Sequence, residues 1–142
     1  MAIPKFLDKS LVWETKANNL GIDLISEQLY DEIGAIIPGL TMRLERGRHF
    51  LIKGRCRWEF GLFQYELGRL WRVYQLNVSP PDKRSHHDEN GDIYGPHEHI
   101  GDATLPVKIP GIDCQNFDNA FKIFCQRVNL TFTGGEHELR LA

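Results

Sequence analysis

The sequence contains few cysteines and no long hydrophobic run, and both absences exclude classes of protein. Cysteine accounts for only three of the 142 residues, and no two cysteines have the C-x-x-C spacing of zinc and redox motifs. We therefore expect reduced thiols instead of a disulfide framework, with Cys56 and Cys125 as small residues of the core. No stretch approaches the roughly 18 apolar residues that a membrane span requires, and the first residues lack the apolar run of a signal peptide. Together these features predict a cytoplasmic protein without a membrane partner.

The chain also lacks the sequence motifs of the common nucleotide-binding and hydrolytic enzymes. It has no Walker A lysine, no G-x-G-x-x-G loop and no G-x-S-x-G nucleophile elbow. The formal net charge is −2, which does not favour a general binder of duplex DNA, because such proteins need a basic surface. A function must therefore be sought in local clusters of side chains.

Length and composition predict one domain spanning residues 1–142. A chain of 142 residues, of which 42% are hydrophobic, is long enough to bury a core of its own. Ser26 is a suitable N-cap, and the apolar residues Ile25, Leu29, Ile33 and Ile36/Ile37 repeat at helical spacing until Pro38 ends the pattern. This pattern predicts a helix over about 26–36.

Between residues 40 and 79 the period of the apolar residues changes to two, which is typical of strands. The predicted strands cover 40–45, 49–58, 60–66 and 70–78, with tight turns at 46–48 and 67–69. A second helix is predicted behind Asp113 or Asn116, because apolar residues from Phe117 to Val128 then share one face. The predicted fold class is α+β: an antiparallel meander of about five strands packed with an N-terminal and a C-terminal helix.

Four of the six histidines lie between His86 and His99, and this cluster is the clearest sign of a functional site. A long polar loop at 79–96 leads into the segment that contains His97 and His99. In an extended strand alternate side chains share a face, so these two imidazoles point the same way and Glu98 points the other way. We expect both rings to emerge into water beside the loop.

The cluster predicts a metal site. The candidate ligands are His97, His99, His86, His87 and Asp88. Mixed histidine and carboxylate ligands suit Zn or Mn, and an open coordination position would activate a water molecule. Two other interpretations stay open: solvated surface histidines, and imidazoles that contact an anionic ligand directly.

A second cluster is basic and lies within the predicted sheet. The candidate phosphate-binding residues are Arg43, Lys53, Arg55, Arg57 and Arg72. If the strands are adjacent, these cations form a row on one face, and guanidinium groups bind phosphate in a bidentate manner. The alternative is a solvated outer face of the sheet, because acidic residues are interspersed with the basic ones.

Five segments in the second half of the chain resemble a family of small phage and prophage proteins. They are RVYQLNV at 72–78, PP at 80–81, HH at 86–87, NGDI at 90–93 and PHEHI at 96–100, and the resemblance covers about residues 70–128. That family combines an arginine-bearing strand, a histidine-containing loop and a His-x-His strand, followed by a C-terminal helix. The resemblance implies an accessory protein of a mobile element that acts in a bacterial cytoplasm against a host defence system.

Two function hypotheses of different class follow. In the first, the protein is a non-catalytic binder of an anionic macromolecule or nucleotide, with a host defence protein, a nucleotide or a nucleic acid as its partner. In the alternative, it is a metal-dependent, phosphoesterase-like hydrolase with His97 and His99 as metal ligands and a loop carboxylate as base. The oligomeric state stays open, since an exposed edge strand permits a homodimer without requiring one.

Overall fold

The computed structural model describes residues 1–16 and 19–135, which form eleven strands and one helix. In chain order the elements are β1 (Lys5–Leu7), β2 (Glu14–Lys16), β3 (Asn19–Tyr30), β4 (Ile36–Gly47), β5 (Trp58–Glu66), β6 (Arg69–Val78), β7 (Arg84–Asp88), β8 (Gly91–Tyr94), β9 (His97–Ile100), β10 (Ala103–Pro106), α1 (Phe117–Val128) and β11 (Leu130–Phe132). No helix among these described residues is long and apolar enough to cross a membrane.

Nine of the strands belong to one mixed sheet. Their order is β10–β9–β6–β5–β4–β3–β1–β11, and β2 pairs with β3 outside this path. Neighbours are antiparallel, apart from β1 and β11, which are parallel. The hairpin of β7 and β8 is separate from the sheet and lies between β6 and β9 along the chain.

Helix α1 covers one face of the sheet, and the core lies between them. Alternate residues of the central strands point to this face, as a period of two requires. Leu44, Phe60 and Leu76 are register partners on β4, β5 and β6, and all three are fully buried. Phe124 of α1 packs on Phe60, with ring centroids 5.9 Å apart. The residues that alternate with these buried ones therefore point to the opposite face of the sheet. His97 and His99 lie on that face.

The predicted N-terminal helix over 26–36 is wrong, because this segment contains the end of β3, a turn and the start of β4. Ile25 and Leu29 are both buried, and a separation of four residues returns a side chain to the same face in a strand as well as in a helix. Ile33, the next residue of the series, is 89% exposed at the turn. The described fold is a mostly β, mixed sheet with one helix, and not a five-stranded meander between two helices.

The predicted strand over 49–58 is also wrong. β4 extends to Gly47, into the predicted turn, and a loop over 48–57 leads into β5. Phe50 of this loop is buried against Trp58, with ring centroids 5.6 Å apart. Apolar residues that anchor a loop to the core thus imitate the spacing of a strand.

Three other predicted elements are confirmed. The strands predicted at 60–66 and 70–78 correspond to β5 and β6, which pair as an antiparallel hairpin. The second predicted helix corresponds to α1. Its N-cap is Asn116, one of the two predicted caps, whose side chain accepts a hydrogen bond from the backbone N–H of Asn119 at 3.1 Å.

Cys56 and Cys114 form a disulfide bond, so the prediction of reduced cysteines is wrong for this pair. Their Cα atoms are 5.6 Å apart, although the residues are separated by 58 positions in the sequence. The bond joins the loop over 48–57 to the segment before α1. Cys125 is a free, buried cysteine, and burial raises the pKa of its thiol to about 12.

Candidate metal centre

The His-x-His segment forms β9, which pairs with β6 on one side and β10 on the other. The register sets His97 opposite Asn77 of β6. As the period of two predicts, His97 and His99 lie on the same face and Glu98 lies on the helix side. There the Glu98 carboxylate accepts a hydrogen bond of 2.6 Å from the Tyr74 hydroxyl.

Both imidazoles are buried, which corrects the expectation that they emerge into water. His97 is 1% exposed and His99 is 7% exposed. The β7–β8 hairpin accounts for this burial, because it lies against the outer face of β9. Its Ser85 hydroxyl is 3.0 Å from His97 Nδ1, and its His86 ring is within 5.6 Å of both rings, measured between centroids.

The hairpin brings a third imidazole to the pair. One ring nitrogen from each of His86, His97 and His99 lies within 4.8 Å of the others. Ligands of a tetrahedral zinc ion, each about 2.0–2.1 Å from the metal, lie about 3.3 Å from one another. A modest contraction of the three side chains would therefore bring them to ligand distances.

Each of these histidines also has one ring nitrogen held by a protein oxygen. The contacts are His86 Nε2 to Asp88 Oδ2 at 2.9 Å, His97 Nδ1 to Ser85 Oγ at 3.0 Å, and His99 Nδ1 to Thr104 Oγ1 at 3.1 Å. Such contacts fix the tautomer and orientation of metal-binding imidazoles and leave the second nitrogen for the metal. The three rings thus have outer partners of the kind that orient metal-binding imidazoles.

The electrostatic surroundings keep the two buried imidazoles neutral. Burial lowers the pKa of His97, and the nearby His86, Arg57 and Arg72 lower it further. Burial and the charge of Arg72 lower the pKa of His99 to about 4. Neutral imidazole is the form that binds metal, so protons do not compete for these two nitrogens near pH 7.

Asn77 of β6 supplies a candidate fourth ligand. Its Nδ2 lies 3.1 Å from His97 Nε2, while its Oδ1 is buried without a hydrogen-bond partner among the residues that the structure describes. Rotation of the amide by half a turn exchanges the two atoms. The carbonyl oxygen would then lie next to the imidazole nitrogen, at the separation of two ligands of one metal ion.

The other two predicted ligands do not join the group. His87 follows His86 in β7 and therefore faces away from the cluster; it is exposed and contacts Asp92 across the hairpin. Asp88 holds His86 instead of offering a ligand atom to the cluster. Its pKa is lowered, chiefly by the hydrogen bond from His86.

The predicted row of cations does not form. Lys53 and Arg55 are exposed in the loop over 48–57 and are not part of a strand. Arg43 lies 3.8 Å from Glu45 on the outer face of β4.

Arg57 and Arg72 are the two predicted cations that lie near the histidines. Arg57 lines a cavity of about 300 Å³ that also includes His97. Arg72 donates a hydrogen bond to Gln75 at 3.1 Å, and its charge contributes to the lowered pKa of His99.

Sequence reasoning missed the other residues of this cavity. Lys83 and Arg84 contribute two further cations, and Ser79 and Glu59 also line it. The signal for the pair of cations was their position in the polar loop beside the histidines, but charged residues are ordinary in such loops.

Comparisons of the chain with protein-family models, curated proteins and solved structures gave no match. The function therefore has to follow from the chemistry of the cluster and of the cavity beside it.

Proposed function

We propose that this protein is a divalent-metal-dependent hydrolase whose metal is held by His86, His97 and His99, with Asn77 as a further ligand. The observation that carries the proposal is the convergence of three ring nitrogens within 4.8 Å. Imidazole ligands suit zinc better than manganese, so Zn²⁺ is the expected ion and Mn²⁺ the weaker alternative. Such a metal supplies a bound water whose pKa falls to about 7.

Burial and neutrality favour the metal over the two alternative roles of the histidines. Solvated surface histidines would be exposed, whereas His97 and His99 are buried. Protonated imidazoles would suit an anion, but the pKa values of both are lowered. The two buried, neutral rings and the His86 ring beside them, each held through one nitrogen by a protein oxygen, fit a metal ion better than either role.

The proposal is tested by titrating Zn²⁺ into chelator-treated protein with a competing indicator dye. We expect about one Zn²⁺ per chain, loss of this binding in His99→Gln, and unchanged binding in His87→Gln, the matched control on the exposed side of the same hairpin. Zinc-loaded protein should then hydrolyse bis(p-nitrophenyl) phosphate or p-nitrophenyl phosphate, and His99→Gln should not. Absence of zinc binding, or equal loss in both variants, would contradict the proposal.

A second candidate function is binding of an anionic macromolecule or nucleotide without catalysis. The observation that favours it is the group of three cations, Arg57, Lys83 and Arg84, around one cavity. In that case binding weakens with salt, and zinc is not needed. A role in a mobile element, with a host defence protein as partner, is proposed from the family resemblance alone.

The cytoplasmic location predicted from the sequence is a proposal separate from the function. A cytoplasmic location was expected from reduced cysteines, but a Cys56–Cys114 disulfide is typical of oxidising compartments. Alkylation of free thiols in intact cells, followed by mass spectrometry, distinguishes the two locations.

A further inference from the structure

We infer that the cavity beside His97 binds a phosphate group, which makes a phosphoester the substrate class. The inference rests on the proposed hydrolase for its reaction, although phosphate binding itself does not require the metal. The cavity measures about 300 Å³ and adjoins the histidine cluster through His97.

The charges around the cavity favour a multiply charged anion. Arg57, Lys83 and Arg84 line it against one carboxylate, Glu59, which pairs with Arg57. Arg84 has a longer contact of 3.8 Å with Asp92. Two guanidinium groups offer paired N–H donors that match phosphate oxygens, and the excess of cations suits the roughly −1.5 to −2 charge of a phosphate monoester better than a single carboxylate.

A buried hydroxyl adds a neutral donor to the same cavity. Ser79 is 5% exposed, and its Oγ has no hydrogen-bond partner among the described residues. Buried polar atoms without a partner are uncommon in folded proteins. A phosphate oxygen in the cavity would accept the hydrogen bond that Ser79 leaves unmade.

The position of His97 links the two sites. It lines the cavity and belongs to the histidine cluster, so a phosphate whose oxygens contact Arg57 and Arg84 would lie beside the residues that would hold the metal, and a bound metal would supply the attacking water. In the hydrolysis, the water oxygen forms a new P–O bond and the ester P–O bond breaks. The bonding electron pair goes to the leaving oxygen, which takes up a proton from the water, and the products are phosphate and an alcohol.

The test is titration of inorganic phosphate into metal-free protein by calorimetry. We expect saturable binding that Arg84→Gln weakens about tenfold, since a charge-assisted contact is lost. Ser79→Ala should weaken it by a smaller factor, and Glu59→Gln should strengthen it, because a carboxylate leaves the cavity. The matched control is Arg55→Gln, an exposed cation outside the cavity, which should bind phosphate as the unmodified protein does.

Two results would overturn the inference: no phosphate binding by the metal-free protein, or equal weakening in Arg84→Gln and Arg55→Gln. Circular dichroism of each variant checks that it is folded. Zinc titration of the same proteins separates this inference from the proposed function. If the protein binds zinc but not phosphate, the proposed metal centre is supported and the phosphate site is contradicted. If it binds phosphate but not zinc, the phosphate site is supported and the metal centre is contradicted.

Discussion

Ser85 Oγ lies 3.0 Å from His97 Nδ1 and 2.5 Å from the carbonyl oxygen of Gly95. A hydroxyl has one proton, and the carbonyl can only accept, so Ser85 donates to Gly95. The proton between Ser85 and His97 must then come from His97 Nδ1. This arrangement fixes the tautomer of His97 and leaves the lone pair on Nε2, which lies 3.1 Å from Asn77 Nδ2.

The first prediction concerns this hydrogen bond. Ser85→Ala should weaken zinc binding about tenfold, because His97 loses the partner that sets its tautomer and orientation. Dye-competition titration measures the change. Ser79→Ala serves as the control, since the Ser79 hydroxyl lines the cavity but makes no hydrogen bond to the three rings; its zinc affinity should match that of the unmodified protein. Equal affinities in Ser85→Ala and the unmodified protein would contradict the role of Ser85.

Only part of this site follows from the sequence. The period of two correctly predicts that His97 and His99 share a face. It cannot choose between His86 and His87, because adjacent residues of a strand point to opposite sides. The choice depends on the pairing of β7 with β8, which shifts register between Arg84 and His86.

The burial of the histidine cluster also could not be predicted from the local sequence pattern. It results from the hairpin folding back onto β9, and polar residues of a loop give no sign of such a contact. The same limit applies to the fold, where Ile25 and Leu29 fit a helix and a strand equally well. β5 and β6 were predictable because apolar residues alternate over Trp58–Leu62 and Tyr74–Val78, and this spacing fits a strand alone.

The second prediction concerns pH. The pKa of folded His99 is lowered to about 4, chiefly by burial, from an ordinary value of 6.5. Between these pH values the unfolded chain binds a proton that the folded chain does not, so stability falls as the pH falls from 6.5 towards 4. Above pH 6.5 neither the folded nor the unfolded chain binds this proton, so His99 no longer makes the stability depend on pH. The lowered pKa of His97 acts in the same direction.

Guanidinium chloride unfolding of metal-free protein at pH 7, 6 and 5 measures this dependence. His99→Gln should reduce the slope of the unfolding free energy against pH by up to about 1.4 kcal/mol per pH unit, the value for one proton. Parallel slopes for the variant and the unmodified protein would show that His99 is not responsible.

The third prediction concerns Lys5, a buried lysine at the C-terminal end of α1. Its Nζ donates hydrogen bonds to the carbonyl oxygens of Val128 and Ile3, each at 2.6 Å, and of Met1 at 2.8 Å. The last carbonyls of a helix have no partner within the helix, so Lys5 satisfies one of them. Burial lowers its pKa, but the three acceptors compensate for its desolvation.

Lys5→Met keeps the length of the side chain and removes its three donors. We expect the free energy of unfolding to fall by about 2–4 kcal/mol, since the buried carbonyl of Val128 loses its partner and two part-buried hydrogen bonds are lost as well. The control is Lys9→Met, because Lys9 is exposed and pairs with Glu27 at the surface, where the loss is expected to stay below about 1 kcal/mol. Chemical unfolding compares the two, and similar losses would contradict a structural role for Lys5.

The last prediction concerns the disulfide between Cys56 and Cys114, which closes a loop of 58 positions. Cross-linking restricts the unfolded chain, and a loop of this length corresponds to a stabilisation of up to about 4 kcal/mol. Reduction should therefore lower the thermal midpoint of the unmodified protein. A variant with both Cys56→Ser and Cys114→Ser should already unfold at the lower temperature and show no further change with reductant. If reductant leaves the unmodified midpoint in place, the bond does not hold the loop over 48–57 to the segment before α1.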